Sequence, residues 1–278
     1  MIKVLKSGFF TSVQDSGRFG YRNYGVPVSG AMDMIAYNYG NRLLNNLKNA
    51  ASLEITMTGP SLLFETASVI AITGAEMSPK INDVAVSNNE VLRIQEGDVL
   101  SFGKLEKGFR TYLSVAGGFK TAIVMESRSF MKNVTVSESL KQNDTLPIDE
   151  FTKGIVQPDI NFDPTYFNTD TLQLLKGPDF EMLSKDQLDQ ILQTEFSVSK
   201  ENNRMGYQLN EEIEAHQHSM ITSAVIPGTV QLTPKGKLII LMRNGQTTGG
   251  YLRILQLTEH SISVLAQKKR NEKLRFVL

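Results

Sequence analysis

The residues best suited to chemistry lie in two polar, glycine-rich loops. The first runs Thr11-Ser12-Val13-Gln14-Asp15-Ser16-Gly17-Arg18-Phe19-Gly20 and resumes as Gly25-Val26-Pro27-Val28-Ser29-Gly30-Ala31-Met32-Asp33. Gln14, Asp15, Arg18 and Asp33 thus stand on constrained backbone of the kind that builds sites. The same residues also fit an Asx-type turn in which Arg18 pairs with Asp15, and the local sequence leaves both readings open. The second loop, Arg243-Asn244-Gly245-Gln246-Thr247-Thr248-Gly249-Gly250-Tyr251, presents amides, hydroxyls and backbone-exposing glycines. It suits hydrogen bonding to a small polar ligand, and a plain hairpin loop would satisfy it equally.

Other chemistry is excluded by residue type. The chain has no cysteine, so thiol nucleophiles, disulfides, cysteine-zinc sites and iron-sulfur clusters are ruled out. Its three histidines give little. His216 and His218 follow Glu212 and Glu214, but EEIEAHQHS reads better as a polar loop than as a metal cluster, and no metal is expected. His260 falls in an expected hairpin turn. In Gly117-Gly118-Phe119-Lys120-Thr121 a Phe stands where a P-loop needs the Gly before its Lys, and G-x-G-x-x-G is absent, so no nucleotide site of its own is expected. No G-x-S-x-G elbow suggests a catalytic triad.

The elements that must position these loops are mostly strands. Short runs rich in β-branched and aromatic residues recur at 52–57, 68–73, 91–94, 99–102, 110–115, 172–175, 196–199, 238–242, 251–257, 261–266 and 274–278. Two stretches carry helical spacing instead: 31–47, with Ser29 as candidate cap, and the segment after Ser184, where Ser184 and Gln187 make a capping box. The class is therefore mainly β with one helix per half. IQEGDVLSF at 94–102 and LKQNDTLPI at 140–148 echo one another, with Gly97 and Asn143 at the position that favours positive φ. A polar, Pro-rich stretch at 151–171 marks the domain boundary, giving an expected division into 1–155 and 156–278.

With 278 residues there is room for two domains, and 29 basic residues balance 29 acidic ones. A net charge of zero argues against nucleic acid as partner. The start MIKVLKSGFF lacks a signal-peptide core and no apolar run reaches membrane-spanning length, so no membrane partner and a cytoplasmic location are expected.

Taken together, VQDSGRFGY (13–21), GVPVSGAMD (25–33), LEITMTGP (53–60), ITGAE (72–76), GFRTYLSVAGGF (108–119), ESRS (126–129), LKGPD (175–179), NRMGYQL (203–209), IPGTVQLTPKGKLIILM (226–242) and QTTGGY (246–251) resemble, in that order, one family. It is the family called allophanate hydrolase subunit 2, biotin-dependent carboxyltransferase-like protein or the 5-oxoprolinase C subunit. The resemblance implies two cyclophilin-like β-barrel domains. It implies a multi-subunit enzyme that hydrolyses 5-oxo-L-proline to L-glutamate with ATP, the nucleotide being used by the assembled complex. The implied partners are a protein like the 5-oxoprolinase B subunit, related to a sporulation-kinase inhibitor, and a protein like the 5-oxoprolinase A subunit.

On that footing Gln14, Arg18, Gln231, Asn244, Gln246, Thr247 and Thr248 are expected to bind an amide-like substrate, and Asp15, Asp33 and Arg204 to serve catalysis. The resemblance leaves two further readings: a regulatory protein that antagonises a kinase-inhibitor partner, and a carboxyltransferase acting on a urea-like amide with carboxybiotin. There is no Met-Lys-Met biotinylation motif, so a carrier would be a separate protein. The family commonly has Asp at the position of Asn244, Pro at Leu252, Gly at Glu126 and Asn143, and Thr at Phe130.

Overall fold

The computed structural model describes residues 1–278 except 152–154 and 156–157. The described residues gather into two compact units, Met1–Arg18 with Ser29–Thr165, and Phe19–Val28 with Tyr166–Leu278. The expected division between residues 155 and 156 touches positions outside the described set. The described chain passes between units at Thr165–Tyr166, and the segment Phe19–Val28 groups with the second.

The first unit holds two antiparallel sheets. One has six strands in the order Thr145–Leu146, Ile2–Lys6, Ser61–Phe64, Val99–Phe102, Pro79–Ile81, Val84–Ala85. The other has five, in the order Phe10–Gln14, Ser52–Thr56, Lys107–Val115, Ser68–Glu76, Val91–Ile94. Alternation along each strand sends Val4, Leu62, Leu100, Val13, Leu53, Ile55, Ile72 and Leu113 into one shared core. The expected closed barrel is thus, in this unit, a pair of separately hydrogen-bonded sheets around a common core.

The opposite face of the five-stranded sheet is buried and polar. Glu54 and Tyr112 stand directly across from one another, with Ser52 and Ser114 on the same two strands and Gln14 and Thr73 on the strands that flank them. Helix α1, Met34–Leu43, packs on two of these strands. It comes close because residue 40 is glycine; a Cβ there would lie 2.7 Å from Ser114 Oγ. The cap of α1 is Asp33 rather than Ser29: Asp33 Oδ1 accepts from the amides of Ile35 and Ala36 at 3.0 and 3.1 Å. Ser29 lies four residues upstream of that cap with a positive φ of 57°.

The second unit closes. Its barrel runs Thr171–Lys176, Leu252–Leu257, Thr229–Leu232, Lys237–Leu241, Gly206–Glu212, Phe196–Asn202, Lys273–Val277, the last strand returning to the first in parallel. Leu172, Ile254, Val230, Ile240, Tyr207, Val198 and Phe276 are buried within this unit. Helix α2, Lys185–Gln193, carries the expected capping box, with Ser184 Oγ accepting from Gln187 N and Gln187 Oε1 from Ser184 N, each at 3.0 Å. Helix α3, Glu259–Ala266, overturns two expectations. Residues 261–266 are helical rather than a strand, and His260 lies in the helix instead of a hairpin turn. All six are buried, which erases the polar-apolar period, and the deciding signal is the cap, Thr258 Oγ1 accepting from Ser261 N. Gly97 and Asn143 both adopt the positive φ expected of them, 89° and 71°.

Candidate functional site

In the first unit the N-terminal loop is locked onto a distant turn. Asp15 Oδ1 accepts from Gly17 N, Ser127 Oγ and Ser129 Oγ at 2.9, 2.8 and 2.6 Å, and Oδ2 accepts from Arg128 N at 2.6 Å. This carboxylate therefore organises 15–17 and 127–129 as one body. Arg18, fully buried, donates from Nε to Val124 O (3.0 Å), from Nη1 to Ser29 Oγ (3.3 Å) and from Nη2 to Ser129 O (2.9 Å). Burial lowers its pKa from the usual guanidinium value, and Asp15 acts in the raising direction. Gln14 Nε2 donates to Ser12 Oγ and Phe130 O.

Asp33 is tied in by the helix cap, and its own amide donates to Tyr112 Oη at 2.8 Å. Tyr112 in turn donates to Glu54 Oε2 at 2.7 Å, which also accepts from Met32 N, and Arg110 lies 3.7 Å from Glu54. Burial, then Glu54 and Asp33, push the Tyr112 hydroxyl well above its ordinary value, so it stays a donor. Each of the four expected residues is held by framework bonds: Gln14, Asp15 and Arg18 reach the 124–130 stretch, and Asp33 the cap of α1 and Tyr112. A cavity of about 200 Å³ touches Asp15 and is bordered by Lys120, Glu126 and Arg128.

The turn that carries Ser127 is itself strained. Val124 and Ser127 bridge across Met125 and Glu126, and both intervening residues have positive φ, 51° and 61°. The types of Ser127, Arg128 and Ser129 do not mark them as site residues; only the ESRS match points at them.

In the second unit a cavity of about 250 Å³ lies on the barrel wall. Gln208 and Gln231 both pair in register with Ile239 on the strand between them, and all three line the cavity. Asn203 and Met205 of the 202–206 hairpin, Gln246 and Tyr251 complete much of its lining. Gln231 is 1% exposed, and its Nε2 has no hydrogen-bond partner. A Cβ at position 249 would lie 2.5 Å from that nitrogen. The pocket offers neutral amide donors and acceptors around a buried, unsatisfied N–H, a pattern suited to the carbonyl or N–H edge of a small ligand.

Of the expected residues, Gln231 and Gln246 line this cavity, while Arg204, Asn244, Thr247 and Thr248 do not. Arg204 Nη2 donates to Asn244 Oδ1 at 3.2 Å, and Asn244 N donates to Arg204 O at 2.8 Å. Thr247 O accepts from Val225 N at 3.1 Å and from Arg22 Nη2, which also donates to Val225 O. Thr248 is exposed on a two-residue strand paired with Ser223–Ala224. Asn203 and Gln208 escape sequence reasoning; the signal for Gln208 is its place between Tyr207 and Leu209, whose burial turns it outward. His216 uses both ring nitrogens, Nδ1 accepting from His218 N and Nε2 donating to Leu232 O. Among the described residues no group of three His, Asp or Glu is arranged to hold a metal, and no helix is long and apolar enough to cross a membrane.

The model of the carboxyltransferase domain, subdomain A and B, matches residues 24–278. The chain belongs to this carboxyltransferase domain family. It is 33% identical to the 5-oxoprolinase C subunit of Escherichia coli strain K12, over 100% of this chain and 91% of that protein. It is 28% identical to the 5-oxoprolinase C subunit of Haemophilus influenzae, over 99% and 90%. The solved urea amidolyase of K. lactis superposes with a TM-score of 0.88 at 28% identity, covering 99% of this chain and 18% of that much longer one. Family membership and full-length similarity thus agree with the mainly β fold.

Proposed function

We propose that this chain is one subunit of an ATP-dependent enzyme complex that opens an amide bond, with 5-oxo-L-proline as substrate and L-glutamate as product. The observation that carries the reading is the Gln231 amide, buried with an unmet N–H in the lining of a pocket whose other polar groups are the neutral Asn203, Gln208, Gln246 and Tyr251 and one carboxylate, Glu201. Full-length similarity to two 5-oxoprolinase C subunits supports it. A lactam carbonyl presents an acceptor to Gln231, and its N–H finds an acceptor among the carbonyl oxygens of Gln208 and Gln246.

Such an amide is resonance-stabilised. Water adds to the carbonyl carbon, the C–N bond breaks with the ring nitrogen leaving as the amine, and the acyl phosphate that remains is hydrolysed to carboxylate and inorganic phosphate. This sequence needs the carbonyl oxygen activated first. ATP supplies that by phosphorylation, and the nucleotide falls to partner chains, proteins like the A and B subunits of 5-oxoprolinase. In this chain Asp15, Asp33 and Arg18 act as the framework that fixes the segments 15–18 and 29–33, because their polar atoms are already engaged. Arg204 and Asn244 hold the hairpin beside the pocket.

The test is oxoproline-dependent ADP release by the chain co-purified with both partners. Turnover only in the complete assembly, with kcat/KM reduced on the order of tenfold or more by Gln231→Leu, is the expected result. Normal turnover in Gln231→Leu removes the pocket from the reading; a complete assembly with no oxoproline-dependent ADP release removes the reaction. A second reading, carboxyl transfer to a urea-like amide from a separate biotin carrier, draws on the likeness to urea amidolyase. Urea-dependent decarboxylation of carboxybiotin by the chain would favour it.

A further inference from the structure

We propose that Asn244 is a self-modification site, at which the side-chain amide converts to a carboxylate in the folded protein. Asn244-Gly245 is the only Asn-Gly pair in the chain. Glycine has no Cβ to hinder the approach of its amide nitrogen to the preceding side chain, which makes this dipeptide the most favourable for ring closure. The chemistry needs only water. Gly245 N attacks Asn244 Cγ, the new N–C bond forms as the C–Nδ2 bond breaks, and ammonia leaves with the amide proton. Water then opens the five-membered imide at either carbonyl, giving aspartate or its β-linked isomer.

Two contacts bear on the rate. Arg204 Nη2 donates to Asn244 Oδ1 at 3.2 Å, which draws electron density from Cγ and stabilises the oxyanion of the tetrahedral intermediate. Gly245 N donates to Met242 O at 2.9 Å, and this bond must open before the nitrogen can attack. Conversion is therefore gated by local opening of the 242–245 turn and runs slower than in a free peptide.

The product differs where it matters. Aspartate at 244 keeps the backbone bonds and turns a neutral contact with Arg204 into a charge-assisted one. It also adds a negative charge two residues from Gln246, at the rim of the barrel-wall cavity. The β-linked isomer inserts an extra carbon into the main chain between Cα of residue 244 and Gly245 N, and so displaces Gly245 N from Met242 O. The reaction involves only this loop and Arg204, and proceeds whatever the cavity binds.

The experiment incubates the purified full-length chain at mildly alkaline pH and follows peptide 244–245 by mass spectrometry, with β-linked aspartate detected by enzymatic methylation. A peptide of the sequence 243–246 runs in parallel. The expected result is conversion at residue 244 in the native protein, slower than in the peptide and ahead of every other asparagine. Asn244→Gln, whose longer side chain closes a ring poorly, loses it. Asn244→Asp melts at a higher temperature than freshly purified protein, whereas the β-linked fraction of aged protein melts lower. No conversion at 244 by the time the peptide is fully converted overturns the proposal, as does conversion seen only in denaturant.

Discussion

Asp15 and Gln231 are both buried polar side chains, in opposite states. Asp15 accepts from two backbone amides and two serine hydroxyls, so its removal strands several donors at once. Asp15→Ala is expected to cost about 3 kcal/mol, read from the midpoint of urea unfolding, whatever it does to activity. Gln231 keeps an unmet donor, and the backbone of Gly249 roofs it. Gly249→Ala pushes the Gln231 amide aside and should weaken binding of a small amide, measured by calorimetry, while the circular dichroism spectrum stays unchanged. The sequence marks Asp15 and Arg18 as polar groups on constrained backbone. It is silent on their task, because Val124, Ser127 and Ser129 approach from more than a hundred residues away.

At the scale of elements, legibility follows how local the deciding contacts are. The capping box of α2 is complete within four residues and is legible directly. The echo turns at Gly97 and Asn143 are equally local. α3 passes for a strand because all of 261–266 is buried, and a continuously buried run fits strand and helix alike. For α1 the helical spacing is legible, but the cap expected at Ser29 is supplied by Asp33. Asp33→Ala should cost about 1 kcal/mol by thermal unfolding, with Asp33→Ser retaining most of that stability. In the 124–127 turn Met125 and Glu126 carry left-handed backbone that glycine adopts without steric cost. Glu126→Gly is expected to raise stability by about 1 kcal/mol in the same assay.

For the whole molecule, the mainly β class is legible and the barrels come from the family resemblance, whereas strand order is not legible. Order is set by pairings such as Phe10–Gln14 with Ser52–Thr56, and Thr171–Lys176 with Lys273–Val277, between segments remote in sequence. The barrel also carries an acid-sensitive clasp. Asp179 Oδ2 accepts from Arg253 N and Nε, both at 2.9 Å, and Oδ1 accepts from Nη2 at 3.2 Å. Hydrogen bonding to Arg253 holds the Asp179 carboxyl below the ordinary carboxylate range. A pKa lower in the folded than in the unfolded chain contributes stability above the unfolded value of about 4, lost as pH falls through the folded value. Asp179→Asn should therefore lower the melting temperature at neutral pH and flatten its decline below about pH 4.

The closure of that barrel carries a consequence for biosynthesis. Lys273–Val277 is the strand that joins Thr171–Lys176 to Phe196–Asn202, so the ring stays open until residue 277 has left the ribosome. Until then Thr171–Lys176 and Phe196–Asn202 each expose an unpaired edge, the state in which nascent β-chains aggregate or recruit chaperones.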